Sequence, residues 1–106
     1  MEMSEKRKPT YDLHAFRAWA RSPKFSAAGS AVRTAAALGV GSTDMVRIVQ
    51  MLERKHFQKS VTSHANPREW QDVYHVPSSI GVLYIKFRAD VVTEFLLLSF
   101  KEKNND

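Results

Sequence analysis

The clearest pattern in the chain runs from Ser42 to Leu52. Met45, Ile48, Val49 and Leu52 recur at three- and four-residue spacing, while Arg47, Gln50, Glu53 and Arg54 fall on the other side. That stripe predicts an amphipathic helix, capped by Ser42 or Thr43, with Asp44 favourably placed in its first turn. Two weaker helices precede it. Leu13, Phe16 and Ala20 mark one that starts at Thr10 or Asp12 and runs to about Ala20. Pro23 closes it, because proline disfavours helical geometry at the residue before it, Ser22. Ser26 to Leu38 predicts another, alanine-rich, whose apolar stripe is Ala31 or Val32 with Ala35 and Leu38. Gly39-Val40-Gly41 breaks the chain after it.

Beyond Lys55-His56 the period changes to two, the signature of strands. In Ile80 to Arg88, Leu83, Ile85 and Phe87 share one face, and Val82, Tyr84, Lys86 and Arg88 share the other. The same alternation in Glu94 to Phe100 sets Leu96, Leu98 and Phe100 against Phe95, Leu97, Ser99 and Lys101. Around Trp70 it separates Gln71, Val73 and His75 from Trp70, Asp72 and Tyr74. Ser78-Ser79 and Ala89 to Val92 supply the turns. Trp70 is expected to anchor the core, since it buries a large area and needs only one partner for its N–H. Asp72 is expected to make a structural hydrogen bond within the sheet. Helices first and an antiparallel meander second is the α+β pattern, with the helices on one side of the sheet. Residues 1–106 are expected to form a single domain, with 1–9 a flexible lead and 104–106 a frayed tail.

Composition bounds this picture. A chain of 106 residues can bury one modest core. It has no cysteine, which excludes a disulfide scaffold and a thiolate zinc site and fits a reducing cytoplasm. The N-terminus has no apolar signal-type region, and the longest apolar run, Phe95 to Leu98, is far short of the ~20 residues a membrane helix needs. The expectation is a cytoplasmic protein without a membrane. Sixteen Lys and Arg against eleven Asp and Glu give a net charge of +5. That surplus draws polyanions such as RNA, but by itself selects no partner. The histidines, His14, His56, His64 and His75, contain no pair at helical ligand spacing, so neither a metal site nor a cofactor is expected. His64 and His75, on either side of Trp70 in sequence, are candidates to assist proton transfer.

Four motifs then stand in order: Phe57-x-Lys59-Ser60, Trp70-Gln71-Asp72-Val73-Tyr74, Tyr84-Ile85-Lys86 and Ser99-Phe100-Lys101-Glu102-Lys103. Together they resemble the C-terminal half of the motility quorum-sensing regulator toxins, the mRNA-cleaving halves of bacterial type II toxin–antitoxin pairs. The resemblance implies a RelE-like α+β fold and a ribosome-independent endoribonuclease that favours GC-containing triplets such as GCU. It also implies an antitoxin partner with a zinc-binding N-terminal domain and a helix-turn-helix domain, through which alone operator DNA would be bound. Lys24 to Ser30 departs from the family's basic, threonine-rich run, a departure that bears on the choice of antitoxin.

Metal-free RNA cleavage of this kind needs a base for the ribose 2′-hydroxyl, an acid for the leaving 5′-oxygen, and positive charge on the phosphate between them. Lysine, tyrosine and arginine on an open sheet face can supply all three. By the resemblance the catalytic set is Lys59, Gln71, Tyr84 and Lys101. Lys59 and Lys101 would transfer protons or stabilise the phosphate, Tyr84 would orient phosphate or ribose, and Gln71 would position the RNA. Lys86, Arg88, His64 and His75 are the RNA-binding candidates. Which lysine is base and which acid does not follow from sequence. Taken singly, each of these residues has a plainer reading: an exposed lysine is usually a solubilising group, and a strand tyrosine is usually half in the core. The rival functions are a catalytically inactive relative acting as a nucleic-acid- or antitoxin-binding co-regulator, and a basic nucleic-acid-binding domain. The last would want aromatics stacked on one open face, whereas here they are scattered between faces.

Overall fold

A computed structural model describes residues 3–103. Three helices, α1 (Leu13–Ala20), α2 (Gly29–Ala37) and α3 (Ser42–Gln50), are followed by most of a five-stranded sheet. Its strands are β1 (Glu5–Lys6), β2 (Phe57–Thr62), β3 (Trp70–Ser78), β4 (Gly81–Asp90) and β5 (Glu94–Glu102), antiparallel and in sequence order. The expected α+β arrangement holds. Among the described residues no helix is long and apolar enough to cross a membrane.

The helices pack on one face of the sheet. Phe16, Trp19, Ala31, Ala35, Met45 and Val49 meet Tyr74, Ile85, Phe87, Phe95, Leu97 and Phe100 there, all buried. Phe16 stacks on Phe87 with ring centroids 3.6 Å apart, and Trp19 meets Phe95 edge-on. Asp12 caps α1 by accepting from the His14 N–H at 2.9 Å. Gly39 ends α2 at φ 77 and Gly81 turns the β3–β4 hairpin at φ 111, left-handed positions that glycine adopts without a Cβ clash.

Several expectations need correction. Residues 5 and 6, read as part of a flexible lead, form β1 against Ser60 and Val61. Ser4 and Thr62 extend that pairing by exchanging hydrogen bonds, so a polar segment without apolar alternation is held by its backbone. The tail 104–106 lies outside the described residues, as do residues 1 and 2. The second helix begins at Gly29 rather than Ser26. Ala27 instead forms a parallel bridge with Leu97, which uses the N–H of Ala28 and the carbonyl of Ser26. Ala31 faces inward and Val32 outward. Gly41, not Ser42 or Thr43, occupies the cap position of α3, and Ser42 is its first helical residue. Ser78, Ala89 and Asp90 belong to strands rather than turns.

Two corrections concern which side chains face which way. Trp70 is not a core residue: it is half-buried at the start of β3, beneath the Lys6 amine, which lies 4.3 Å from the ring centroid. The core tryptophan is Trp19, whose indole N–H donates to the Thr93 carbonyl. In β5, strict alternation fails because the register slips between Lys86 and Phe87: Lys86 pairs with Ser99, but Phe87 pairs with Leu97. Leu98 is the extra residue. Phe95, Leu97 and Phe100 therefore share the buried face, and Leu96 with Leu98 is only half-buried. Bulges of this kind re-aim side chains by one position.

Candidate active site

The face of the sheet without helices carries the polar set. A second register slip, between Phe57 and Lys59 in β2, makes it possible. Without it, the residues of Phe57-x-Lys59 would point the same way. With Gln58 as the extra residue, Phe57 packs against the core and Lys59 faces the open side opposite Val73. The bulge at Leu98 acts likewise on β5, where Ser99 and Lys101 reach the open face while Phe100 stays in the core.

One ladder row runs Lys59, Val73, Lys86, Ser99 across four strands; the next runs His75, Tyr84, Lys101 across three. Val73 is fully buried, so the side chains around it on this face cover it. The Lys101 Nζ lies 5.1 Å from the centroid of the Tyr84 ring, and the His75 ring lies 5.5 Å from that ring on its other side. Lys59 is paired with Glu5 of β1 at 3.7 Å.

Burial tunes this group. It raises the pKa of the Tyr84 phenol, so Tyr84 keeps its proton and can donate it. Burial lowers that of Lys86, and the neighbouring Lys101 and Lys59 charges lower it further against the opposing pull of Glu69. It also lowers that of His75, with Lys103 and Lys59 adding to the effect, which keeps the imidazole neutral around pH 7.

At the other end of the face, Gln71 and Arg88 converge on Glu69. Gln71 Nε2 donates to Glu69 at 2.7 Å, and Arg88 Nε lies 3.6 Å from the same carboxylate. Arg88 also donates to Asp90 at 3.0 Å. The Asp90 carboxyl is held down at about 2, first by the Thr93 backbone N–H and then by that of Val92. Arg88 is thereby fixed between two carboxylates.

The sheet thus brings Lys59, Gln71, Tyr84, Lys86, Arg88, His75 and Lys101 to one surface, as alternation and motif order suggest. It does not bring His64 there. That residue is exposed in the loop between β2 and β3, at the opposite end of β3 from His75. Asp72 points to the helix side, fully buried, and accepts the N–H groups of Thr10 and Tyr11 at 3.1 and 2.9 Å. Two carboxylates escaped the sequence reading, Glu5 and Glu69. Glu5 carried no signal, because its segment has no strand pattern. Glu69 stands at i−2 from Gln71 before a strand, the spacing at which both side chains share a face, and could have been found.

The pattern that defines the family described as "Motility quorum-sensing regulator, toxin of MqsA" matches residues 8–102. That span takes in the helices, the four long strands and every residue of the open-face set from Lys59 to Lys101. The mRNA interferase toxin MqsR of Escherichia coli (strain K12) is 31% identical over 99 residues, which cover 93% of this chain and 99% of that protein. With a match of this extent over helices and sheet alike, the chain belongs to the motility quorum-sensing regulator toxin family.

Proposed function

We propose that this chain is an mRNA interferase toxin, an endoribonuclease that cuts single-stranded RNA on the open face of its sheet. The observation that carries this reading is that Lys59, Lys86 and Lys101 share the open face with Tyr84, Lys86 next to it along β4 and Lys101 across from it on β5, with Gln71 on the same face. The related Escherichia coli protein is named for the same activity. In the reaction the 2′-hydroxyl attacks the adjacent phosphate, the bond to the 5′-oxygen breaks, and a 2′,3′-cyclic phosphate and a free 5′-hydroxyl result. The lysines stabilise the phosphate or transfer protons, Tyr84 donates to phosphate or leaving group, and Gln71 positions the RNA. Arg88 and His75 border the strand's path. Cleavage at GC-containing triplets, independence of the ribosome, and pairing with a zinc-binding, helix-turn-helix antitoxin that alone reaches operator DNA complete the proposal.

The test is expression without antitoxin, beside cleavage of naked RNA by the purified protein in EDTA. Growth arrest and cutting in EDTA are expected. Activity lost in EDTA and restored by magnesium or zinc would overturn the lysine–tyrosine chemistry. Binding to RNA should also weaken with salt, since for single strands the logarithmic slope is about −0.7 per phosphate neutralised. An affinity indifferent to salt would remove the phosphate-tracking role of this face.

A further inference from the structure

Lys86 differs from the two lysines that flank it. It occupies the middle of the row Lys59–Val73–Lys86–Ser99 and is the next open-face residue after Tyr84 along β4. Strands lie about 4.8 Å apart, so Lys59 and Lys101 stand roughly three spacings, or about 14 Å, from one another across the sheet. Lys86 is two spacings from the strand of Lys59 and one from that of Lys101. Lys59 has Glu5 as a counter-charge. Lys86 has no carboxylate within ion-pair distance among the described residues, and it is half-buried beside its cross-strand partner Val73 where Lys101 is exposed.

We propose that Lys86 is the general base of the cleavage reaction, the group that accepts the ribose 2′-proton, with Lys59 and Lys101 acting as charged phosphate holders on either side. The inference rests on the ribonuclease reading above and assigns one of its roles. Groups facing Lys86 from the elements around it are Lys59 on β2, His75 on β3, Tyr84 and Arg88 on β4, Lys101 on β5, and Glu69 before β3. Of these only Glu69 favours the charged amine, and Gln71 and Arg88 already occupy its carboxylate. Burial and the flanking lysines therefore enrich the neutral amine that a base requires. A phosphate drawn in by Lys59 and Lys101 would set its 2′-hydroxyl beside that amine. The proton passes to Lys86 Nζ as the 2′-oxygen bonds to phosphorus. The P–O5′ bond breaks, and the 5′-oxygen takes a proton from Tyr84, which burial keeps protonated. Solvent returns both groups to their starting states, so no co-reactant is consumed.

Arginine in place of Lys86 separates the two roles, because it keeps the charge but does not lose a proton near neutral pH. For Lys86→Arg, single-turnover cleavage should fall by about 10²–10⁴-fold. Binding to an uncleavable 2′-O-methyl RNA should persist and stay salt-dependent, since arginine keeps a positive charge at that position. The chain has no cysteine, so Lys86→Cys can be alkylated with 2-bromoethylamine at that one position. The resulting thioether amine is more acidic than lysine. Cleavage should return, with the acidic limb of its pH–rate profile displaced to lower pH. Lys86→Arg cutting at the parent rate, or an alkylated protein that binds RNA but stays inactive, would overturn the assignment while leaving the ribonuclease reading intact. A parent protein that cuts no RNA removes both. Melting curves confirm that each variant is folded; if Lys86→Arg is not, the alkylated protein and its pH limb decide alone.

Discussion

The two faces of this sheet each carry a tyrosine and a charged residue, for opposite ends. Tyr74 and Asp72 face the helices; Tyr84 and Lys86 face solvent one strand over. On the helix face, side chains are fixed by contacts they cannot leave: Asp72 gathers the backbone N–H groups of Thr10 and Tyr11, and Phe16 lies flat on Phe87. On the open face, like charges are held close together. Burial lowers the Lys86 pKa and raises that of Tyr84. Burial also pushes the Tyr74 phenol up to about 12, with the Asp72 charge adding to it, yet nothing there can use the proton. The same physical cause thus sits at a chemically active position on one face and an inert one on the other. A shifted pKa marks a site only where a substrate can reach it.

Substitutions can break that contrast, and the largest effect is expected on the open face. Tyr84→Phe and Lys101→Ala should each reduce RNA cleavage by about 10²–10⁴-fold, or roughly 3–5 kcal/mol of transition-state stabilisation. Their melting temperatures should stay near the parent's; a normal rate with a normal melt would remove them from the site.

Next come the tryptophans. Trp19→Ala should cost about 3–5 kcal/mol of stability through the cavity it leaves among Phe16, Phe25 and Phe95. Trp70→Ala should cost only about 1 kcal/mol, from a half-buried ring and its contact with Lys6. Chemical denaturation of both variants reads the difference, and equal losses would contradict the placement of Trp70 outside the core.

Asp72→Ala comes third, at about 1–3 kcal/mol, because two partly buried N–H groups lose their acceptor. Amide exchange at Thr10 and Tyr11 should rise with it. Unchanged exchange there would show that the carboxylate does not hold the segment.

The smallest effect is Tyr74→Phe. The Tyr74 hydroxyl is buried without a hydrogen-bond partner among the described residues, so removing it should be neutral or stabilising, within about 1 kcal/mol. Cleavage should be untouched. A strong loss of activity would mean that the helix face takes part in the chemistry.

Much of this could be read from the sequence where one period ruled a segment. The stripe of Met45, Ile48 and Val49 and the alternation of Leu83 to Arg88 both describe what the molecule does. Tyr84, Lys86 and Arg88 were legible for that reason. Legibility failed where the backbone departs from its period. Lys101 lies on the open face, but not because Phe100 sides with Leu96 and Leu98. The bulge at Leu98 shifts the parity, and Phe100 sides with Leu97. Bulges leave little mark in composition, since any residue can be the extra one, and Gln58 and Leu98 have nothing in common. Nor could alternation tell Trp70 from Tyr74. Both face the helix side, but the helices cover only the second, and how far a layer extends is a tertiary property.

The first strand has a consequence in the order of folding. Strands β2 to β5 join their neighbours through short connections and can pair as soon as they meet. The N-terminal segment closes over far longer separations, 58 residues for Ser4 to Thr62 and 62 for Thr10 to Asp72. Longer closures are slower and entropically dearer, so β1 should dock late and leave early. The cationic face would then be complete before Glu5 arrives to partner Lys59. In slow exchange with solvent, the amides that pair β1 with β2 should open well before those between β3 and β4, and each opening would briefly expose Lys59 with its charge unopposed.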